Sequence, residues 1–171
     1  MKKEILYANK WINVIKLDDW YVCTDEVRTK NNDFVCVLPY TITNSGIKKY
    51  LLRMEHNPAH QEKGNVLSVI TGQCETGVVL YHAEQELKEE GGYTIESSRF
   101  ISLGTCMPLK SSMAKMNMFA VQIFSNDIPH EAKGDGTIGE NNSYPIWTDR
   151  TNVLECKDPY AQSALLRLEA I

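Results

Sequence analysis

Only one segment in the first hundred residues, residues 78–90, has the apolar spacing of an α-helix. Its apolar residues recur three or four positions apart, which places them on one helical face. Gly91 and Gly92 follow directly, and glycine commonly ends helices because it adopts the left-handed backbone conformation. Short apolar runs surround this segment, so the sequence predicts a helix packed against strands.

The predicted strands are rich in β-branched and aromatic residues and are separated by turn residues. Residues 33–42 and 48–54 form a predicted hairpin around the turn at residues 43–46. A glycine-bearing loop is expected at residues 71–77, directly before the helix. The other predicted strands span residues 5–15, 20–24, 65–70, 100–103 and 116–124.

The last third of the chain adds a long polar segment and one further helix. Residues 126–143 contain three glycines and predict a loop of a length that is commonly functional in compact domains. Asp158 and Pro159 suit the cap and the first turn of a helix that is amphipathic over residues 161–168. We therefore predict an α+β fold, with residues 1–32 as an N-terminal antiparallel strand block and residues 33–171 as the main domain.

Composition excludes several classes of protein. A chain of 171 residues with a formal net charge of −4 has no broad basic surface, so we expect no nucleic-acid partner. Its five cysteines are widely spaced without a CxxC pair, which argues against a zinc site or a disulfide framework. No apolar run has the length of a signal peptide or a membrane span. These features predict a reduced, cytoplasmic protein.

Three carboxylates of the predicted helix share one side of it. At about 100° per residue, Glu86, Glu89 and Glu90 fall within one sector roughly 100° wide, beside the apolar stripe. Carboxylates gathered in this way repel one another and are costly to desolvate, and a divalent cation relieves both effects. Oxygen ligands suit Mg²⁺, which also bridges to substrate phosphates. The alternative is a solvated acidic helix end, although the helix dipole disfavours negative charge there.

Residues 86–93 read E-L-K-E-E-G-G-Y and resemble the E-U-x-E-E-x-G-U end of the Nudix box, in which U is bulky and apolar. Resemblance to the Nudix hydrolases implies a Nudix-like α/β/α sandwich with a mixed sheet. It also implies that Glu86, Glu89 and Glu90 bind Mg²⁺, with Mn²⁺ as a substitute, and that the backbone carbonyl of the Gly72 region completes the site. The implied reaction is hydrolysis of a nucleoside diphosphate linked to another moiety.

The box departs from the family pattern at two positions. Gln85 stands in place of the box arginine, and Gly77 or Val78 stands where the family has an earlier glutamate. In the family these two side chains resemble a structural salt bridge rather than metal ligands, so their joint loss is physically coherent. The departures leave two alternatives open: a non-catalytic nucleotide-binding module, and an acidic surface helix whose resemblance is accidental.

Two features outside the box resemble the ADP-ribose pyrophosphatase branch of the family. Pro108 lies at about the place of a proline in that branch, with an ordinary turn proline as the alternative. The N-terminal strand block is similar to the extra sheet of the branch, which implies a homodimer. The resemblance implies ADP-ribose or a related ADP-sugar as substrate, giving AMP and a sugar phosphate. Dinucleoside polyphosphates and other nucleotides are the alternative substrates.

The attacking water needs a base as well as a metal. Glu140 in the long loop is similar in position to the loop glutamate that serves this role in the ADP-ribose branch, so we predict Glu89 and Glu140 as catalytic residues. Glu131 is the competing candidate for the base. Arg53, after a predicted strand, is a predicted phosphate-binding residue because guanidinium groups pair with phosphate oxygens. The alternative is a strand-end arginine at the surface.

Four aromatic or imidazole side chains complete the predictions. His82 lies one helical turn before Glu86, and we expect it to hydrogen-bond a glutamate rather than bind Mg²⁺. Trp11, Trp20 and Trp147 are candidates for stacking on an adenine, with burial in the core as the alternative.

Overall fold

A computed structural model of the chain describes residues 2–56, 65–133 and 143–171. Within these ranges the chain forms ten β-strands, which belong to two sheets, and three α-helices. In the described ranges, no helix has the length and apolarity needed to cross a membrane.

The first sheet is a three-stranded antiparallel sheet of β1 (Lys3–Ala8), β2 (Ile12–Leu17) and β3 (Tyr21–Glu26). The single strand predicted over residues 5–15 is therefore wrong, because a turn divides it. Asn9 makes this turn: its side-chain oxygen accepts hydrogen bonds from the backbone N–H groups of Trp11 (2.7 Å) and Ile12 (2.8 Å). Asparagine favours turns for this reason.

The second sheet is mixed and follows the strand order β10-β5-β4-β9-β8, with β6 paired to β5 and β7 paired to β4. Its β4–β9 pair is parallel and its other pairs are antiparallel. The predicted hairpin is confirmed as β4 and β5. The seven strands are β4 (Asp33–Ile42), β5 (Lys48–His56), β6 (Asn65–Ser68), β7 (Ile70–Gln73), β8 (Phe100–Cys106), β9 (Lys115–Gln122) and β10 (Tyr144–Thr148).

Helices cover both faces of the second sheet. Alternate residues of β4 point to opposite faces, so Val35 and Val37 belong to the core under α1 (Val79–Gly91), together with Leu87. Cys36 and Leu38 belong to the other core, against α2 (Arg150–Glu155) and α3 (Pro159–Glu169). The predicted α/β/α sandwich is therefore confirmed.

The predicted C-terminal helix is present as α3, and its cap also ties it to the sheet. Asp158 accepts hydrogen bonds from the N–H groups of Tyr160 (2.8 Å) and Val69 (2.7 Å). Burial raises the pKa of this carboxyl group above its usual value, against the lowering effect of the backbone hydrogen bonds. The side chain thus joins the start of α3 to the segment between β6 and β7.

Sequence patterns did not indicate β10 or α2. Strand β10 contains Pro145 and pairs only with β5 among the described strands, which is the edge position that a sheet allows to proline. Helix α2 has only six residues, too few to show a helical period.

The two sheets lie on either side of the predicted domain boundary. The first sheet ends at Glu26 and the second begins at Asp33. Backbone hydrogen bonds connect β3 to the β8–β9 loop, from Thr24 N–H to the Ser111 carbonyl (2.9 Å) and from Met113 N–H to the Thr24 carbonyl (2.8 Å). The division into domains at residue 32 stays a prediction.

Candidate active site

Helix α1 holds its acidic end close to the sheet. Ala83 and Leu87 are fully buried against the sheet, which fixes the rotation of the helix. Gly92 ends the helix in the left-handed conformation (φ 74°), and its N–H donates to the Leu87 carbonyl. The predicted glycine stop is therefore confirmed, and it leaves the last turn of α1 beside β7.

A cavity of about 420 Å³ opens between α1, β7 and the end of the first sheet. All three predicted metal ligands, Glu86, Glu89 and Glu90, line it, together with Gly72 of β7 and Arg28. The structure thus gathers the predicted carboxylates and the predicted backbone ligand at one place. The loop predicted over residues 71–77 is partly wrong, because its first three residues belong to β7, where they pair with β4.

Gly72 leaves room for a carboxylate. A Cβ atom added at this position would overlap the carboxylate group of Glu86. Any larger residue would therefore displace Glu86, and the backbone of β7 approaches the acidic side chain only because position 72 is glycine. This close approach places a backbone segment and a carboxylate on the same wall of the cavity.

Glu90 has a buried cationic partner. The guanidinium group of Arg53 forms an ion pair with the Glu90 carboxylate, and the two residues are only 5% and 7% exposed. Arg53 lies within β5 rather than at its end, so the alternative of a strand-end surface arginine is wrong. Its predicted role in binding phosphate stays a prediction.

The donor groups of the cavity suit a hard cation. In the described part of the chain, no three histidine, cysteine, aspartate or glutamate side chains converge as a ready-made metal centre. The cavity instead offers separate carboxylates, with Glu86 against Gly72 and Glu90 against Arg53, and no cysteine lines it. Mg²⁺ fits such a set because it takes few protein oxygens and fills its shell with water and phosphate oxygens.

Two neighbours on α1 complete the cavity wall. Gln85, at the position of the box arginine, lines the cavity. His82 also lines it, but its Nε2 lies 2.9 Å from the Thr76 hydroxyl and accepts a hydrogen bond from the Thr76 N–H (3.2 Å). The hydrogen-bond partner of His82 is therefore Thr76, in the turn before α1, and the expected bond to a glutamate is wrong.

Arg28 is a candidate residue that sequence reasoning missed. It follows β3, is exposed, and reaches the cavity from the first sheet. The ring of Trp11 lies 4.6 Å from its guanidinium carbon, and the Val27 N–H donates to the Trp11 carbonyl (3.0 Å). No local spacing signals this placement, because it depends on how the first sheet meets the second.

A second cavity, of about 380 Å³, borders the other side of Glu89. It is lined by Glu89, Lys88, His130, Glu131 and Lys133. The segment after β9 is held there by the His130 N–H, which donates to the Gly92 carbonyl (2.8 Å). Glu131 therefore lies near the acidic end of α1.

The remaining predicted site residues lie elsewhere. Glu140 lies outside the described residues. Pro108, half-buried in the β8–β9 loop, lines neither of the two cavities. Trp147 packs at the core beside Tyr93, with ring centroids 6.3 Å apart, which agrees with the alternative of a buried tryptophan.

The fold of this chain is similar to that in a crystal structure of an ADP compounds hydrolase. The similarity covers 99% of this chain and 91% of that chain, with a TM-score of 0.64 and 19% sequence identity. No family model matches the sequence, and no curated protein matches it. At this level of identity the likeness shows the fold, which is the α+β, Nudix-like fold.

Proposed function

We propose that the protein is a metal-dependent hydrolase that cleaves the pyrophosphate bond of a nucleoside diphosphate linked to another moiety. The observation that carries this proposal is the cavity that Glu86, Glu89, Glu90 and Gly72 line together, with the Glu86 carboxylate packed against Gly72. The fold that surrounds this cavity also supports the proposal, because it is similar to that of an ADP compounds hydrolase. ADP-ribose or a related ADP-sugar is the first candidate substrate, and the products would be AMP and a sugar phosphate.

Each element of the cavity has a task in this reaction. Glu86, Glu89, Glu90 and the Gly72 backbone carbonyl would hold Mg²⁺, or Mn²⁺ in its place. The bound ion would neutralise phosphate charge and acidify a water molecule. Arg28 reaches the cavity with a guanidinium group, which would pair with negatively charged phosphate oxygens of the pyrophosphate.

An acidic residue of the segment after β9 would orient the attacking water molecule. Glu140 or Glu131 would accept a proton from this water as it forms a bond to one phosphorus atom. The bond between that phosphorus and the bridging oxygen breaks, and the leaving phosphate keeps the bridging oxygen. One water molecule is consumed, and with ADP-ribose the two products are AMP and ribose 5-phosphate.

A second copy of the chain is the proposed protein partner. All six residues of β1 are exposed, and the first sheet presents large apolar side chains, with Ile5 58%, Tyr7 56% and Trp20 79% exposed. Apolar surface of this kind marks interaction sites, and a homodimer would cover it. We propose a cytoplasmic homodimer that acts on a small nucleotide, and light scattering of the purified chain tests its mass.

A non-catalytic nucleotide-binding module is the second candidate function. The specific observation that favours it is the degenerate box, in which Gln85 replaces the arginine and Gly77 or Val78 replaces the earlier glutamate. Saturable ADP-ribose binding without turnover in Mg²⁺ or Mn²⁺ would identify it.

The proposed function is tested by incubating the purified chain with ADP-ribose and Mg²⁺, with and without EDTA, and measuring AMP. AMP formation that EDTA abolishes and that Glu89→Gln removes supports the metal hydrolase. Glu84→Gln is the matched control, because it removes a carboxylate from the same helix without lining the cavity. If no AMP appears, a panel of dinucleoside polyphosphates and other nucleotides separates a different substrate from a binding module.

A further inference from the structure

The acidic end of α1 lacks a basic residue of its own that faces the main cavity. Gln85 is uncharged, and Lys88, the only lysine or arginine of α1, lines the second cavity rather than the first. Glu90 is nevertheless buried, at 7% exposed. A buried carboxylate without a partner is strongly disfavoured, so its positive partner must come from another element.

That partner is Arg53 of β5. Residues two apart on a strand share a face, so Arg53 shares the face of Leu51, which packs in the core beneath α1. Its guanidinium group meets the Glu90 carboxylate, 37 residues further along the chain. The ion pair thus joins the central sheet to the last turn of the helix.

A second carboxylate steadies Arg53. Glu55, two residues on along β5, lies 4.0 Å from the same guanidinium nitrogen, and it accepts a hydrogen bond from the Ser68 hydroxyl (2.5 Å). Arg53 therefore lies between two acids, one on its own strand and one on α1. This arrangement restricts where the Glu90 carboxylate can point.

We propose that Arg53 is a positioning residue, which holds the Glu90 carboxylate in place in the metal site through their buried ion pair. This inference rests on the proposed function. The two arginines near the cavity then have different tasks: exposed Arg28 lines it and is available to a ligand, whereas buried Arg53 does not line it and acts through Glu90.

The test uses four variants of the full chain: Arg53→Gln, Arg53→Lys, Glu90→Gln and the double variant Arg53→Gln/Glu90→Gln. Three readouts are measured: Mn²⁺ affinity by titration calorimetry, the unfolding temperature in EDTA, and KM for ADP-ribose at saturating metal. Arg150→Gln is the control, because it breaks the surface ion pair of Arg150 with Glu169 (2.7 Å) and should leave Mn²⁺ affinity unchanged.

We expect Arg53→Gln to weaken Mn²⁺ binding at least about tenfold, as loss of a residue that orients a ligand does. Arg53→Lys should restore part of this loss, because lysine keeps the charge. In EDTA the double variant should unfold at a higher temperature than Arg53→Gln, because the single change leaves a buried carboxylate without its partner. At saturating metal, KM for the substrate should stay within about twofold for Arg53→Lys if Arg53 acts through Glu90, because Arg53 does not line the cavity.

Several outcomes would overturn the inference. Unchanged Mn²⁺ affinity in Arg53→Gln, with a raised KM alone, would make Arg53 a substrate contact instead. If Arg53→Gln does not fold, Glu90→Gln is compared with the double variant: equal Mn²⁺ affinity supports the coupling, and a further loss contradicts it. If the unmodified chain itself binds no Mn²⁺, the proposed function fails and this inference fails with it. If the unmodified chain binds Mn²⁺ and Arg53→Gln binds it with the same affinity, only this inference is overturned.

Discussion

The carboxylate of Glu86 occupies the space into which a side chain at Gly72 would extend. Gly72 pairs with Val35 of the central strand β4, so the sheet fixes its position. Glu86 belongs to α1, whose rotation is fixed by Ala83 and Leu87. The contact between strand and carboxylate therefore follows from the packing of two rigid elements, and it sets where a cation would find both a carboxylate and a backbone oxygen.

Replacing Gly72 by alanine should damage the metal site while sparing the fold. The new methyl group forces the Glu86 carboxylate away, so we expect Mn²⁺ affinity and hydrolysis to fall at least about tenfold. Gly72 does not have a left-handed backbone conformation, so the free energy of unfolding should change by no more than about 1 kcal/mol. Calorimetric Mn²⁺ titration and urea unfolding measure the two effects.

Gly91→Ala is the contrasting variant for this experiment. A Cβ at Gly91 would lie 2.8 Å from side-chain carbons of Ile70 and Leu87 in the core, so overpacking should lower the free energy of unfolding by about 1–3 kcal/mol. A Gly72→Ala protein that keeps its metal affinity would show that Glu86 is not held against β7 for metal binding.

A loop acid should be needed for turnover and not for metal binding. Glu140 is the predicted base and Glu131, which borders a cavity with Glu89, is its competitor; replacing whichever acid is the base by glutamine should lower kcat by about 10²–10⁴, the usual contribution of a general base, with Mn²⁺ affinity unchanged. Glu140→Gln and Glu131→Gln are therefore assayed in parallel. A large loss of kcat in Glu140→Gln alone would assign the base to Glu140 and make Glu131, which pairs with Lys133 at 3.3 Å, an ordinary surface acid.

Local sequence signals were sufficient for the parts of the fold that depend on neighbouring residues. The helix α1 was predictable because its apolar spacing and Gly92 both lie within one segment, and α3 because Asp158 and Pro159 start it. The placement of Glu86, Glu89 and Glu90 on one side follows from helical geometry alone, which is why the acidic wall of the cavity was predictable as a unit.

Contacts between distant segments could not be predicted in this way. The pairing of Arg53 with Glu90 depends on the order of strands in the sheet, and the approach of Arg28 depends on how the first sheet meets the second. Neither leaves a periodic pattern in the sequence. The turn at Asn9 was also missed, because β-branched and aromatic residues on both sides of it read as one continuous strand.

Gly92 should be essential for docking the segment that carries Glu131. Its φ of 74° disfavours any side chain, and a Cβ there would lie 2.6 Å from the His130 carbonyl oxygen. Gly46 is the matched control, since its φ is 79° with nothing within 4 Å of an added Cβ. We expect Gly46→Ala to lower the free energy of unfolding by about 1 kcal/mol from backbone strain, and Gly92→Ala by about 1–3 kcal/mol more from the collision.

Urea unfolding of both glycine variants measures this difference, and hydrogen exchange of the His130 N–H reports whether the segment has detached. Equal losses of stability in the two variants would mean that the segment moves aside freely and that its docking contributes little.

The segment after β9 should also loosen in acid, because an ion pair anchors it. Arg99 donates two hydrogen bonds to Asp127, at 2.8 and 2.6 Å, and the Phe124 N–H donates a third (2.7 Å). The hydrogen bonds from Arg99, helped by that of Phe124 and by the nearby positive charge, lower the pKa of Asp127 below its usual value. A carboxyl group whose pKa is lower in the folded state stabilises the fold above its unfolded pKa and loses this contribution as the pH falls through its folded pKa.

Asp127→Asn should therefore be less stable than the unmodified chain at pH 7, and the difference should shrink as the pH falls below about 4. Urea unfolding at a series of pH values measures it. Glu169→Gln is the comparison, because the pKa of Glu169 is also lowered by its hydrogen bond with Arg150. The Arg150 side chain is 53% exposed. Solvent screening should therefore make the loss of stability in Glu169→Gln smaller than that in Asp127→Asn at every pH. A deficit in Asp127→Asn that stays constant from neutral to acidic pH would show that the aspartate acts through its shape and hydrogen bonds rather than through its charge.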